Sequence, residues 1–227
     1  MANYYGTPAI VTDGLVFAID AGNGQSYVSG SGDCTNLFGP YTGSLSDSNG
    51  SGMFSSNNQG TWAFDGVDDY INIGSHGPSV APDTAVTFNI WFKIGGAAGS
   101  REYGDIISNW NGVDYCFIGT HRDNPDDIEV YFNALVFTIS NLPFQTWMLL
   151  TITHDGSNII GYIDGVQTNS ANHTLATITT GVTSIGYDVN RSNYPFLGQI
   201  ANCLIYNKAL SEAEVLQNYN ATKNRFI

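Results

Sequence analysis

The segment AVTFNIWFKI, Ala85 to Ile94, sets Val86, Phe88, Ile90, Phe92 and Ile94 in alternation with Ala85, Thr87, Asn89, Trp91 and Lys93. A period of two kept over the whole segment predicts a strand with one face in a core. TWMLLTITHD, Thr146 to Asp155, is apolar on both faces and rich in β-branched residues, which predicts a central strand covered on both sides. Asp155-Gly156 and Asp164-Gly165 bracket SNIIGYI, Ser157 to Ile163, and such dipeptides supply the positive φ angles of two-residue hairpin turns. The pattern therefore predicts a meander of three strands from Thr146 to about Ser170. Similar short runs predict strands at Gly14 to Asp20, Thr61 to Phe64, Asp69 to Ile73, Gly104 to Ser108 and Tyr115 to Gly119. Others follow at Asp127 to Phe132, Leu135 to Ile139, Val182 to Gly186 and Gly198 to Tyr206. Many short strands separated by turn signals imply two packed antiparallel sheets.

Between Gly22 and Gly60 the chain is dominated by Gly, Ser and Asn and reads as a long surface loop. Too little chain precedes it to fold alone. One helix is predicted, at the C-terminus. Ser211 stands as N-cap, Glu214 completes a capping box, and Leu210 and Val215 sit where a hydrophobic staple would close. Val215, Leu216 and Tyr219 give it a short apolar stripe, with which it would pack on the sandwich or plug one end. The expected organisation is an arm over residues 1–12 and a single domain over 13–227.

Composition fits that picture, since 227 residues that are 42% hydrophobic and 13% aromatic can fill one sizeable core. Charge narrows the partners. Seven basic residues face 20 acidic ones for a net charge of -13, and none of the basic residues precedes Lys93. A nucleic-acid partner needs a basic stripe that is missing here, and an anionic membrane surface is equally unfavourable. With no basic n-region and no apolar run near the roughly 20 residues of a membrane span, a soluble protein without an export signal is expected. Cys34, Cys116 and Cys203 are odd in number and lack C-x-x-C spacing, so free, buried thiols are expected rather than disulfides or a zinc cluster.

Catalytic signatures are scarce. The chain has no G-x-S-x-G, no H-E-x-x-H and no phosphate loop. Asp127 and Glu129 project from one face of a predicted strand, the minimum that a sugar-cleaving carboxylate pair requires, although a solvated strand face explains them as well. His76, His121, His154 and His173 are scattered without metal-ligand spacing and read as surface or half-buried residues. Calcium is the cation that Asp- and Asn-rich loops would suit. Asp123 and Asp126 in HRDNPDD, and Asp188 and Asn190 in YDVNRSN, are its candidates, but turns favour the same residue types. Aromatic side chains flanked by amides and carboxylates are what a sugar-binding surface uses. Trp110 with Asn109, Asn111 and Asp114, and Tyr194 with Arg191 and Asn193, fit that description on predicted loops. Trp62, Trp91 and Trp147 are assigned to the core.

Three blocks in a fixed order carry a resemblance: FDGVDDYINI at Phe64 to Ile73, WMLLTITHDGSNIIGYIDGV at Trp147 to Val166, and FLGQIANCLIYNKALSEAEVLQNYNATKNRF at Phe196 to Phe226. Together they resemble the concanavalin A-like, laminin-G-like domain, in the form common in virion proteins of tailed bacteriophages. The opening GLVFAIDAGNGQSY, Gly14 to Tyr27, is similar to the same phage sequences. The resemblance implies an all-β, two-sheet antiparallel jelly-roll sandwich with one short C-terminal helix, used for adhesion to glycans or proteins, sometimes with calcium at a rim. Many relatives carry an acidic pair where this chain has Ala201 and Asn202, and the E-x-D-x-x-E or E-x-D-x-E strand of related glucanases is missing. The resemblance thus implies a non-enzymatic virion protein, decorating a capsid or forming a fibre or tail appendage, with no catalytic residues and no required cofactor. Its partners would be other virion proteins and a host surface glycan, in a homo-oligomer assembled in the host cytoplasm. A glycan-binding lectin-like module is the alternative, and a glycoside hydrolase stands behind it.

Overall fold

The computed structural model describes residues 9–47, 52–74, 85–96, 103–110, 115–174 and 181–227. Its first strands are β1 (Leu15–Asp20), β2 (Asp33–Thr35), β3 (Thr42–Ser46), β4 (Phe54–Ser55), β5 (Thr61–Asp65), β6 (Tyr70–Gly74) and β7 (Val86–Ile94). Next come β8 (Gly104–Trp110), β9 (Tyr115–Thr120), β10 (Ile128–Phe132), β11 (Leu135–Ile139) and β12 (Met148–His154). The series ends with β13 (Asn158–Ile163), β14 (Val166–Asn172), β15 (Val182–Ile185), β16 (Leu197–Tyr206) and the helix α1 (Glu212–Thr222).

These strands form two antiparallel sheets stacked as a sandwich. The first runs β14-β13-β12-β7-β16-β5-β4, with β1 also on β16. The long strand β16 shares one edge end to end, since β5 pairs with residues 197–200 and β1 with residues 202–206. The second sheet runs β11-β10-β9-β8-β15-β6-β3-β2. Between them lies the main core, to which Phe88, Ile90 and Phe92 of β7 contribute from one sheet and Ile118, Ile128 and Val130 from the other. The all-β sandwich with one short C-terminal helix is therefore what the alternating pattern anticipated. None of the described helices is long and apolar enough to cross a membrane.

The first sheet is covered on its outer face too. Leu204, Tyr206, Leu210, Val215 and Tyr162 form a second apolar cluster there. Trp91, Leu149 and Ala201 form a third, beneath Tyr219 and Phe226. The helix therefore packs on the sandwich. It buries Val215 and Asn218, while Leu216 of the expected stripe is exposed. Its capping box is present, with the Glu214 N–H donating to Ser211 Oγ and Glu214 Oε2 accepting from the Ser211 N–H. Of the arm, residues 9–12 are described. The Val11 N–H donates to Asn218 Oδ1 at 2.8 Å and its carbonyl accepts from the Tyr206 hydroxyl at 3.0 Å.

Four expectations are corrected. β7 is buried on both faces, because its polar members find partners: Asn89 Nδ2 donates to Thr151 Oγ1 and Thr87 Oγ1 donates to the Lys208 carbonyl. The stretch from Gly22 to Gly60 is not one loop but holds β2, β3 and β4, anchored by the buried Tyr27, Cys34 and Met53. The turn between β12 and β13 spans residues 155–157 rather than two, with Asp155 Oδ1 accepting from the N–H groups of Ser157 and Asn158. The next turn does use two residues, Asp164 at φ 54° and Gly165 at φ 80°. Finally, Trp147 is only half-buried, its ring against Phe226 and its Nε1 donating to Asn58 Oδ1 at 3.1 Å.

A candidate ligand-binding recess

The strands β8, β9 and β10 present their second face away from the core. On β9, Cys116 and Ile118 point into the core, so Tyr115, Phe117 and Gly119 point out. On β10, Ile128, Val130 and Phe132 point in, leaving Glu129 and Tyr131 outside. Register aligns these positions into rows across the sheet. Trp110 pairs with Tyr115, Ser108 with Phe117 and Phe117 with Tyr131, while Asp105 pairs with Gly119 and Gly119 with Glu129.

A cavity of about 190 Å³ opens on this face, lined by Tyr103, Asp105, Tyr115, Phe117, Tyr131, Arg191 and Tyr194. Its aromatic members touch one another. Phe117 stacks on Tyr131 with ring centroids 4.1 Å apart, Tyr115 lies against both, and Tyr103 meets Tyr194 edge to face at 5.6 Å. From the 187–194 loop, the Arg191 guanidinium lies 4.5 Å from the Tyr194 ring and 5.6 Å from the rings of Phe117 and Trp110. Two backbone devices hold that loop in place. Tyr194 has φ 66°, unusual for a bulky side chain, and its carbonyl accepts from the Asp105 N–H at 2.9 Å.

The floor of the recess is acidic. Asp105 is only 1% exposed, and neither of its carboxylate oxygens has a hydrogen-bond donor. Its nearest counter-charge is Arg191 Nη2, 3.8 Å away. Burial pushes the Asp105 carboxyl well above its ordinary range, the Asp188 charge adds to this, and Arg191 opposes it. Ser108 lies close enough to lower it slightly, but its hydroxyl is turned to Ser184 Oγ and the Tyr187 carbonyl. Glu129 is also buried, with Oε1 3.8 Å from His121 Nε2 and Oε2 without a partner. Burial, then the nearby Glu129, raises the Tyr131 hydroxyl to about 12. Gly119 separates the two acids. A β-carbon there would come within 2.5 Å of the Gly104 carbonyl and 3.0 Å of the Asp105 Cα, so the close approach of the two strands requires glycine.

Two of the sequence's aromatic candidates therefore converge, since Trp110 and Tyr194 both lie against Arg191. Trp110 ends β8 instead of standing in a turn, half-buried. Asn109 is committed elsewhere, its Nδ2 donating to the Gly181 carbonyl and to Thr183 Oγ1. Asn193 is exposed and pairs with Asp188 through its backbone. Asn111 and Asp114 lie outside the described residues. Tyr103, Asp105, Tyr115, Phe117 and Tyr131 were missed, although outward alternation of the rings on β9 and β10 was a usable signal.

For the calcium candidates, Asp188 is fully buried and accepts from the N–H groups of Asn190 and Arg191 and from Arg191 Nε. Asn190 Nδ2 donates to the Val182 carbonyl. Asp123 and Asp126 stand in the 121–127 turn, where the Asp123 N–H donates to His121 Nδ1 and the Asp126 carbonyl accepts from Leu142. Among the described residues, the three acids whose ligand atoms lie within 4.8 Å of one another are instead Asp65, at the end of β5, and Asp68 and Asp69 in the turn that follows. Asp69 Oδ2 closes that turn by accepting from the Asp65 N–H. Asp127 does not face Glu129 across a cleft, for its Oδ1 caps the Asn141 N–H. At the family's acidic-pair position, Ala201 is buried against Trp91 and Asn202 Oδ1 accepts from the Trp91 N–H.

Comparison with known proteins bears on this fold. No curated protein sequence matches the chain. Domain 4 of AbnA, a GH43 extracellular arabinanase from Geobacillus stearothermophilus solved in complex with arabinotriose, is similar at a TM-score of 0.69 and 15% identity, over 90% of this chain and 98% of that one. Trypanosoma rangeli sialidase aligns at a TM-score of 0.72 and 11% identity over 96% of this chain, which spans only 35% of the sialidase structure. The binding domain of Paraclostridial Mosquitocidal Protein 1 aligns at 0.68 and 16% identity, covering 92% of this chain and 52% of that one. Identities this low speak for the fold alone. A family model, however, matches residues 64–216, about two thirds of the sequence, and on that match the chain belongs to the concanavalin A-like lectin/glucanases superfamily.

Proposed function

We propose that this protein is a non-enzymatic, lectin-like adhesion module that binds glycan in the recess on β8, β9 and β10. The observation that carries this reading is the recess itself, in which tyrosine and phenylalanine rings surround buried carboxylate oxygens that lack donors. Ring faces stack on the apolar face of a sugar, and unpartnered acceptors are satisfied by its hydroxyls. The arabinanase domain similar to this chain was solved with arabinotriose, which adds support by likeness of fold. A glycan array tests the reading. Binding should be detected and should fall about tenfold or more in Tyr131→Ala, a loss of about 1.4 kcal/mol. A wholly negative array would overturn it.

The alternative of glycoside hydrolysis predicts turnover that vanishes in Glu129→Gln, whereas the binding reading expects no release of reducing ends. A role on a phage virion is the finer part of the proposal. It is supported by the three sequence blocks and the opening GLVFAIDAGNGQSY, and it implies other virion proteins as partners, copies of the chain in symmetric assembly and a host glycan as target. Labelling intact particles tests it, and absence from purified virions removes it.

A further inference from the structure

Away from the recess, the connection between β5 and β6 carries the chain from the first sheet to the second through Asp65-Gly66-Val67-Asp68-Asp69. Gly66 takes the left-handed conformation, φ 78°, that lets so short a segment reverse. Asp65 Oδ1 accepts from the Val67 N–H at 2.8 Å, and Asp69 Oδ2 accepts from the Asp65 N–H at 2.9 Å. Folded in this way, Asp65, Asp68 and Asp69 each bring one carboxylate oxygen within 4.8 Å of the other two.

Three acids at one turn do not by themselves make a site. The independent observation is the state of Asp69, which is only 3% exposed. Its Oδ2 closes the turn, whereas its Oδ1 is sealed from water and has no hydrogen-bond donor. Burying a carboxylate oxygen without a partner costs stability. Closing the turn does not require that oxygen, since the single carbonyl of an asparagine would accept from the Asp65 N–H equally well. Negative charge also crowds the group, for Asp65, Asp47 and Asp68 all act on the Asp69 carboxyl.

We propose that this turn binds one Ca2+, with Asp65, Asp68 and Asp69 as carboxylate ligands and Asp69 Oδ1 as its buried oxygen. A set made of oxygen alone suits a hard cation. Ca2+ takes about six to eight oxygens at roughly 2.3–2.6 Å in irregular geometry, so one ion reaches oxygens spaced as these are, while Mg2+ demands a near-ideal octahedron at about 2.0–2.1 Å. Bound there, the cation ties the end of β5 to the start of β6, and hence one sheet to the other.

The test uses the full chain, stripped with a chelator and titrated with CaCl2 in a calorimeter. One site with a Kd of about 1 mM or tighter is expected, and MgCl2 should bind at least about tenfold more weakly. Saturating Ca2+ should raise Tm by several degrees, as a ligand of the folded state does. Asp69→Asn keeps an acceptor for the turn and removes a charge, so it should fold in Ca2+-free buffer and weaken Ca2+ binding at least about tenfold. Asp68→Asn, at the half-buried member of the set, should weaken it likewise and stands in if Asp69→Asn does not fold. No heat and no change in Tm at about 10 mM Ca2+ overturns the proposal, and so does wild-type affinity in either folded variant. The glycan reading stands or falls separately.

Discussion

At Gly119 a missing side chain lets the backbone of β8 approach β9 at Gly104 and Asp105. Gly119→Ala should therefore cost about 1–3 kcal/mol by overpacking against the Gly104 carbonyl. A fall in Tm of several degrees, at about 2–4 °C per kcal/mol for a chain of this size, would be the readout. Asp105 was hidden from sequence reading by a register shift between Asp105 and Ile107. Strict alternation puts residues 105 and 107 on one face, whereas the bulge sends Ile107 into the core and Asp105 out to the recess. Arg191 and Tyr194 were legible as a polar and aromatic pair, but the left-handed backbone at Tyr194 that lays one on the other was not.

At the scale of elements, a histidine relay ties the two sheets together. The Gly156 N–H donates to His154 Nδ1, so the hydrogen of His154 sits on Nε2 and is donated to His173 Nδ1 at 3.0 Å. The His173 Nε2–H then donates to the Phe132 carbonyl of β10 at 3.2 Å. The relay works only with both rings neutral. Burial, then the nearby His173, lowers His154 to about 4, against an ordinary value of 6.5. A group depressed in the fold stabilises it fully above its unfolded value, so this contribution, up to about 3 kcal/mol, shrinks as pH falls from about 6.5 towards 4. Asp69, raised by burial to about 6, works in the opposite sense over much of that range, so the wild type alone would understate the effect. The Tm advantage of wild type over His154→Gln should decline steadily between pH 7 and pH 4.5, and a constant difference would refute the relay. Sequence reading left this histidine at the surface or half-buried, whereas it shares the inward face of β12 with Met148, Leu150 and Ile152 and is buried against Phe132 of the second sheet. The helix cap, by contrast, was legible because its signal is local. Ser211→Ala should cost about 1 kcal/mol of stability in urea unfolding.

For the molecule as a whole, alternation and turn residues sufficed for two stacked sheets, since the period of two is a property of each strand by itself. The two apolar faces of Thr146 to Asp155 already implied cover on the outer face of the first sheet, but not which side chains from the far end of the chain supply it. Phe226 stacks on Trp91 with centroids 4.2 Å apart, and the Arg225 Nη1 bonds Asp20 Oδ1 at 2.7 Å. Removing residues 223–227 should therefore expose Trp91 and Trp147, shift tryptophan emission to the red and lower Tm by several degrees, whereas Leu216→Ser on the exposed helix face should change little.

The position of β16 has a consequence for biosynthesis. Three strands, β1, β5 and β7, lean on residues 197–206, so the chain must leave the ribosome as far as Tyr206 before the first sheet can close. Until then apolar strand edges wait unpaired, and nascent chains stalled before Leu197 should associate with chaperones or precipitate rather than accumulate as a folded fragment.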